Sequence, residues 1–500
     1  MRRKTKTNVG RESRQVATGV VGDAADGRGA WFGFGMTIAL AGAFGSVQPV
    51  AAQDEIAGVG DAFDAAELIP SANAALPPIL PGQDPGARTR PPEKPVPPTE
   101  ATDAVVREWF GGDDWTEWTR VTGDWGGART ALEEAGVSFN GSLVADWGRV
   151  LSGGVREGSD FRFLLDLNLT FDLGAIAGLE RGTVFADFQT ANETVSSGDS
   201  GAFQLASNIA IGGSITQLSQ LWYEQWLGEE LVRVKLGKID ANTEFAFIGA
   251  AGGFINASAG FSPAIFALPT YPNPSTALVA FIYPDDSIYL GAGLFDGANA
   301  VDGVPTGSRG PSTMFSDDLS DDLFWIAEAG ITLREAGPLS ATRLAIGGWW
   351  HTGEFARFDG GTDDGTGGLY LVGETRLWAP GGCDLTDDED ARGLWAFVQY
   401  GWANDAVSTV AQQLGGGLAL NAPFEGRDDD SLGLYASWAD FSDDPSAGIA
   451  GDETILELYY DIAVTPSFHV KPDLQWVFDP SGDPSVEDAL VGSVRCIWTF

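Results

Sequence analysis

The segment Phe161-Arg162-Phe163-Leu164-Leu165-Asp166-Leu167-Asn168-Leu169-Thr170-Phe171-Asp172-Leu173 alternates large apolar residues with mostly polar ones. Every odd-numbered residue in it is apolar, whereas Arg162, Asp166 and Asn168 lie between them. Because successive side chains of a β-strand point to opposite faces, this period of two predicts a strand with one apolar and one polar face. Such a strand fits either the boundary between lipid and water or the surface of a soluble sandwich.

Repetition of this pattern favours the membrane. Residues 454–464 and 468–478 show the same split, and about sixteen such segments follow one another from Val137 to Phe500. An even number of strands with alternating short and long connections is typical of bacterial outer-membrane barrels. We therefore predict an all-β fold, a transmembrane antiparallel β-barrel of about sixteen strands, with short periplasmic turns and long acidic external loops.

Two features of the last strands refine this prediction. The chain ends in the aromatic residue Phe500 on the same face as Trp498, which is typical of outer-membrane barrels. Pro472 lies inside a predicted strand, where it removes a ladder hydrogen bond. We therefore expect a local β-bulge at Pro472.

The region before the barrel divides into three parts. Residues 1–52 combine a basic leader, an apolar run and a small-residue cleavage site, which predicts a signal peptide. Residues 53–115 are rich in proline and predict a disordered periplasmic linker. Residues 116–136 predict a short helical segment at the periplasmic mouth, with Asp124 as N-cap and Gly136 as the stop. The barrel domain then covers residues 137–500.

Composition excludes several classes of protein. The 70 acidic residues outnumber the 29 Lys and Arg residues, so the net charge is −41 and nucleic acid is not expected as a partner. No run of about 18 apolar residues follows the signal, which excludes helical membrane spans. Cys383 and Cys496 are expected to be free thiols because Cys496 falls on a lipid-facing position.

Three stretches carry a family resemblance. Thr122-Gly123-Asp124-Trp125-Gly126-Gly127-Ala128-Arg129, Leu236-Gly237-Lys238-Ile239-Asp240 and Lys471-Pro472-Asp473-Leu474-Gln475 resemble motifs of the carbohydrate-selective (OprB-like) porins. The resemblance covers about residues 120–500. It implies a sixteen-stranded barrel, a helical segment near the periplasmic mouth and diffusion of sugars, and that family carries the same proline pattern.

A sugar-selective constriction needs paired hydrogen-bond donors and acceptors beside aromatic faces. We predict that the longest loop, residues 241–274, folds into the lumen to form it, because an apolar loop must pack inside something. The candidate constriction residues face the predicted lumen or lie where the resemblance places the inward loop. They are Arg233, Lys235, Asp240, Glu244, Glu374, Arg376, Glu457, Asp461, Lys471, Asp473, Gln475, Trp222 and Trp395. A solvated or ion-paired wall, or an interface belt for tryptophan, is the alternative interpretation.

The predicted function is passive diffusion of small sugars through the outer membrane, with sugars and membrane lipid as partners, no cofactor and no enzymatic activity. Two non-enzymatic alternatives remain, a general cation-preferring porin and a structural or adhesive barrel. A Ser/His hydrolase is disfavoured because neither His351 nor His469 lies beside a nucleophile motif. A glycosidase would need two positioned carboxylates, and acids here are too numerous to be diagnostic. Divalent-cation binding by the acidic loops and a homo-oligomer are left open.

Overall fold

The chain forms a closed antiparallel barrel in the computed structural model, which describes residues 115–194, 199–333, 341–380, 392–449 and 451–500. The sixteen strands are β1 (Val137–Gly154), β2 (Ser159–Asp172), β3 (Gly182–Thr194), β4 (Ser214–Leu227), β5 (Val232–Ile239), β6 (Ser275–Ile282), β7 (Ile288–Asp296), β8 (Leu323–Leu333), β9 (Thr342–Ala356), β10 (Thr362–Trp378), β11 (Gly393–Ala403), β12 (Val410–Asn421), β13 (Ser431–Phe441), β14 (Asp452–Thr465), β15 (Phe468–Phe478) and β16 (Glu487–Thr499). Each strand pairs with its sequence neighbours, and β1 pairs with β16. The predicted barrel of about sixteen strands is confirmed.

Helices in the described residues are short. They are α1 (Ala128–Glu134), α2 (Leu173–Ala177), α3 (Ala257–Gly260), α4 (Ala298–Asp302) and α5 (Thr306–Arg309). Single 3₁₀ turns occupy Trp115–Glu117, Trp125–Gly127, Ala241–Thr243, Gly249–Ala251, Gly310–Ser312, Pro445–Ala447 and Pro480–Gly482. Among these residues, no helix has the length and apolar character needed to cross a membrane. The predicted signal peptide and nearly all of the predicted linker lie outside the described residues.

The alternation seen in the sequence becomes an outward apolar surface and an inward polar one. On β2, the outward Phe161 and Leu169 are exposed, whereas the inward Arg162, Asp166 and Asn168 are buried. An outward apolar band is what lipid contact requires, since hydrocarbon offers no partner for polar groups. Cys496 is a free thiol, and Cys383 lies outside the described residues.

The N-terminal segment lies at one end of the barrel, which we call the inner end; the opposite end is the outer end. Arg129 of α1 is buried and donates hydrogen bonds to the backbone carbonyl groups of Phe139 and Phe500, the latter at 3.0 Å. Its guanidinium also lies 5.1 Å from the ring centroid of Trp125. Arg129 thereby ties α1 to the first strand and the chain terminus, beside the β1–β16 seam.

The boundaries of that segment differ in detail from the prediction. The α-helix starts at Ala128, after a 3₁₀ turn, so Gly127 rather than Asp124 is its N-cap. The Asp124 carboxylate instead accepts hydrogen bonds from the backbone N–H and hydroxyl group of Thr130, at 3.2 and 2.6 Å. Gly136 has a φ of +87°, a conformation that favours glycine, and it ends the helix as predicted.

Pro472 causes no bulge, so that prediction was wrong. The β15–β16 register runs unbroken through the pair Pro472–Val494. On the β14 side, pairing stops after Tyr459–Asp473 and resumes in the same register at Ile462–Val470. A proline lacks only one N–H group, so the loss is confined to one neighbouring strand and no extra residue is required.

The acidic connections lie at both ends. The long connection 297–322, with Asp317 and Asp318, is at the outer end as predicted. The turn 422–430, with Asp428-Asp429-Asp430, follows an even-numbered strand and therefore lies at the inner end. Asp430 accepts hydrogen bonds from Arg427 at 2.7 Å and from the Ala463 backbone N–H at 2.9 Å, which closes this turn.

Candidate functional site

The connection between β5 and β6, residues 240–274, folds into the lumen; we call it the inward loop. Its side chains Phe245, Phe254 and Ile265 are buried in one hydrophobic cluster with inward-facing residues of the barrel wall. The Phe254 ring lies 4.9 Å from that of Tyr459 and 5.5 Å from that of Tyr435. Apolar loop residues therefore pack against an aromatic part of the wall, which explains why so apolar a loop is stable inside a polar barrel.

Carboxylates of the wall hold the backbone of the inward loop. Glu328 accepts a hydrogen bond from the Ala246 N–H at 2.9 Å, and Glu374 accepts one from the Ala250 N–H at 2.8 Å. Glu457 accepts two, from Ile255 at 2.6 Å and Asn256 at 3.2 Å. These four hydrogen bonds, spread over residues 246–256, fix the height of the loop in the lumen.

A second segment, residues 199–213 between β3 and β4, also enters the lumen; we call it the second inward segment. Glu453 accepts hydrogen bonds from the backbone N–H groups of Phe203 and Gln204, each at 2.8 Å. The segment meets the inward loop through two backbone hydrogen bonds, from Asn208 N–H to Ile255 O at 2.7 Å and from Ala257 N–H to Leu205 O at 2.9 Å. The two segments therefore form one unit that spans the lumen.

The predicted basic residues at the start of the inward loop form an ion cluster. Arg233 and Lys235 both contact Glu244, each at 2.5 Å, and both also lie within 3.6 Å of Glu224. Burial alone would raise the pKa of Glu244, but the two cations outweigh it and hold that pKa below its usual range. These predicted residues lie together, and their charges are largely satisfied by one another.

Asp240 caps the inward loop. Its carboxylate accepts hydrogen bonds from the Tyr271 N–H at 2.9 Å, the Thr270 hydroxyl group at 2.7 Å and the Asn242 N–H at 2.9 Å. Residues near the two ends of the loop are thus joined at one side chain. Burial outweighs these hydrogen bonds and raises the pKa of Asp240 to about 6.

Glu374 and Arg376 share the inward face of β10 but have separate partners. Glu374 pairs with Arg343 at 2.8 Å, besides holding Ala250. Arg376 donates a hydrogen bond to the Arg392 carbonyl group at 3.0 Å, and its guanidinium lies 5.7 Å from the Trp395 ring centroid. The Trp395 ring faces the lumen as predicted, beside a cation.

The predicted constriction residues on β14 and β15 form a hydrogen-bonded network beside the second inward segment. Asp461 contacts Lys471 at 3.2 Å and His469 at 3.1 Å. Lys471 also donates a hydrogen bond to the Gly253 carbonyl group at 2.7 Å. Gln475 donates hydrogen bonds to Asp473 and to the Ala206 carbonyl group, each at 2.9 Å. This group therefore touches both inward segments.

Trp222 faces the lumen, and neighbouring side chains already engage its ring. Phe185 stacks on it with 4.9 Å between the centroids, and the Lys235 ammonium group lies 3.8 Å from the ring centroid.

His351, the candidate base of the hydrolase alternative, is already engaged, because both of its ring nitrogens hydrogen-bond to the backbone of Gly297 and Gly353. In the described part of the chain, no group of three or more His, Cys, Asp or Glu residues is arranged to hold a metal ion.

One part of the inner wall contrasts with these satisfied groups. Asp166 and Asp187 are buried, and Asp166 accepts a hydrogen bond from Gln189 at 2.9 Å. Both oxygens of Asp187 lack a hydrogen-bond partner within the described ranges. Strands β2 and β3 therefore bury two acids on the lumen-facing side of the wall.

Sequence reasoning missed three elements of this arrangement: Glu328, Glu453 and the second inward segment. Glu453 and Glu457 lie four residues apart on the same inward face of β14, a spacing that could have indicated paired anchors. The second inward segment lacks the long apolar run that marked the inward loop, so no comparable signal existed.

The family assignment rests on the match of residues 163–500 to the family described as carbohydrate-selective porin, OprB family. The chain belongs to this family. The predicted resemblance is therefore confirmed, and the barrel is a porin of the bacterial outer membrane.

Two curated relatives span most of this porin. The protein named porin QuiX of Acinetobacter baylyi is 25% identical over 423 residues, which cover 76% of this chain and 93% of the relative. Porin B of Pseudomonas aeruginosa is 24% identical over 435 residues, covering 76% of this chain and 91% of the relative. The barrel also resembles the high-pH structure of Pseudomonas putida OprB, with a TM-score of 0.69 at 20% identity over 78% of this chain and all of that one. That likeness supports the fold.

Proposed function

We propose that this porin passes small sugars by passive diffusion, through the space that the inward loop and the second inward segment leave in the barrel. The observation that carries the proposal is the pair of lumen-spanning segments held by wall carboxylates. Anchored segments leave a passage of constant width, whereas a freely moving loop would not discriminate between solutes of similar size.

Most predicted constriction residues act, in this proposal, by positioning the constriction. Glu374 and Glu457 bind loop backbone, and Arg233 and Lys235 are neutralised by Glu244. Groups already engaged in this way have little capacity left for solute hydroxyl groups.

A sugar is neutral and carries many hydroxyl groups, so its passage requires acceptors and donors that replace water without binding tightly. The Asp187 carboxylate and the Gln189 amide oxygen lack hydrogen-bond partners within the described residues. Both oxygens are buried in the wall, so they do not supply these contacts.

The parts outside the described residues extend the proposal. Residues 1–52 direct export and are removed, and residues 53–115 form a spacer in the periplasm. The exposed outward side chains, such as Leu236 and Ile346, contact membrane lipid. The channel then needs neither a cofactor nor a chemical step.

Planar-bilayer recording of the purified protein tests the function. We expect stable open-channel current steps that decrease when small sugars are added, because a sugar in the constriction displaces ions. A bilayer without steps would favour a structural or adhesive barrel. Steps that no sugar alters would contradict sugar selectivity, and release of reducing sugar from oligosaccharides would contradict the absence of catalysis.

A further inference from the structure

An open cavity of about 520 Å³ lies near the outer end of β9, β10 and β11. Its lining includes the indoles of Trp350 and Trp402, the side chain of Leu369 and the acids Asp363 and Asp364. The volume falls within the usual range of small-molecule sites. Aromatic and acidic side chains together indicate a ligand with both an apolar face and hydrogen-bond donors.

Glycines shape the floor of this cavity. Trp350 of β9 pairs with Gly367 of β10, and a Cβ atom on Gly367 would lie 2.8 Å from the Trp350 ring. Gly365, with a φ of +90°, would clash with the same ring if it carried a side chain. The indole therefore lies against bare backbone, and Trp350 remains 50% exposed.

Trp402 bounds the other side. It belongs to β11, pairs with the outward-facing Leu369 and is 44% exposed. Two strand spacings, about 10 Å, separate the backbones of β9 and β11. The Trp350 ring covers Gly367, and the cavity that remains between this ring and Trp402, which we call the slot, has room for one flat ring beside an indole.

Polarity changes along the slot. Leu369 and Leu371 lie toward the middle of the membrane and are about half exposed. Asp363 lies toward the outer end, where it accepts a hydrogen bond from Asn404 at 3.0 Å and pairs with Arg357 at 3.1 Å. Asp364 is exposed beside it. An occupant that satisfies both ends is amphipathic, with hydrocarbon below and hydroxyl groups above.

The geometry points to a glycolipid of the outer leaflet as the ligand of this cavity, with an uncharged sugar ring stacked on Trp350 and its hydrocarbon chain along Leu369. The acids favour hydroxyl donors and repel phosphate groups by like charge, which disfavours phospholipid headgroups. An ordinary aromatic belt explains tryptophans at this depth. It does not explain the paired glycines beneath Trp350 or the acids at the outer edge of the slot.

Native mass spectrometry of the porin in phosphatidylcholine nanodiscs tests this inference with three probes. Dodecyl maltoside has a sugar and a chain, maltose has the sugar alone, and dodecylphosphocholine has the chain with a phosphate group. We expect one dodecyl maltoside retained per barrel and neither of the others at equal concentration. Equal retention of dodecylphosphocholine would overturn the site, and equal retention of maltose would overturn the lipid assignment.

Variants locate the site. Trp350→Leu keeps an apolar surface but removes the platform, so affinity for dodecyl maltoside should fall about tenfold. Asp364→Asn should weaken binding less. Trp147→Leu is the matched control, because Trp147 is an exposed tryptophan on the distant β1. Equal loss in Trp147→Leu, or no loss in Trp350→Leu, would contradict the assignment, and the wild-type probe comparison decides the question if a variant fails to fold.

Discussion

At the scale of single residues, Asp240 shows how burial and hydrogen bonding oppose one another. Three donors favour its ionised form, yet removal from water has the larger effect and raises its pKa to about 6. An acid with a raised pKa in the folded state stabilises that state when protonated. This contribution is fully present below the ordinary aspartate pKa of about 4 and is lost as the pH rises through 6.

Asp240→Asn tests this assignment. The free energy of unfolding of the wild type should decrease by up to about 3 kcal/mol from this group as the pH rises from 4 to 6. The variant cannot ionise at this position, so its stability should depend less on pH over the same interval. Thermal unfolding in detergent at several pH values measures the difference.

Asp318→Asn provides the control, because it replaces the same type of side chain at an exposed position on the connection 297–322. Its pH profile should match that of the wild type. Identical profiles for Asp240→Asn and the wild type would show that Asp240 keeps an ordinary pKa.

At the scale of elements, β14 organises the constriction. Glu453 holds the second inward segment, and Glu457, four residues along the same face, holds the inward loop. Glu453 also accepts a hydrogen bond from the Ser481 N–H at 2.7 Å, which ties in the connection between β15 and β16. One strand therefore sets the position of three connections.

Glu457→Gln should loosen the inward loop. The amide has one acceptor oxygen, and its NH₂ group would face a backbone N–H, so one of the two hydrogen bonds to the loop backbone is lost. We expect noisier and larger single-channel currents, weaker current reduction by sugars and a stability loss of about 1–3 kcal/mol. Single-channel recording measures the first two, and thermal unfolding measures the third.

Glu354→Gln is the matched control, because Glu354 is an exposed glutamate at the outer end of β9. Its currents should equal those of the wild type. Unchanged conductance and sugar response in Glu457→Gln would show that the hydrogen bonds to Ile255 and Asn256 do not set the passage.

At the scale of the whole molecule, charge decides which ions accompany sugars through the channel. The net charge is −41, and Asp166 and Asp187 lie on the lumen-facing side of β2 and β3. A lumen of one sign raises the local concentration of ions of opposite sign. The porin should therefore pass cations more readily than anions, even if sugars are its main solutes.

Reversal potentials in a KCl gradient measure this preference. We expect potassium to be preferred near 0.1 M salt and the preference to shrink near 1 M, where the screening length falls from about 10 Å to 3 Å. Asp187→Asn should reduce the preference, whereas Asp318→Asn should change it little. A preference for chloride, or no effect of Asp187→Asn, would contradict a role for this acid.

Local alternation in the sequence determined the barrel. Segments such as 161–173 and 454–464 place lipid-facing and lumen-facing residues correctly, because the period of a strand is a property of the backbone. The apolar character of residues 245–266 was enough to indicate an inward loop, since such a loop cannot face water. The inward orientation of Trp222 and Glu457 followed from the same alternation of residues along a strand.

Only the tertiary structure decided what those inward residues touch. Glu457 meets Ile255 about 200 positions earlier in the chain, and Glu453 meets a segment whose sequence carries no mark of burial. The bulge expected at Pro472 is absent because the partner strands retain their register. The alternation of residues along a strand assigns each side chain to a face from local geometry alone. The groups that the side chain then contacts depend on how distant segments fill a closed volume. For that reason, the sequence specified the wall of this porin, and three-dimensional packing specified its constriction.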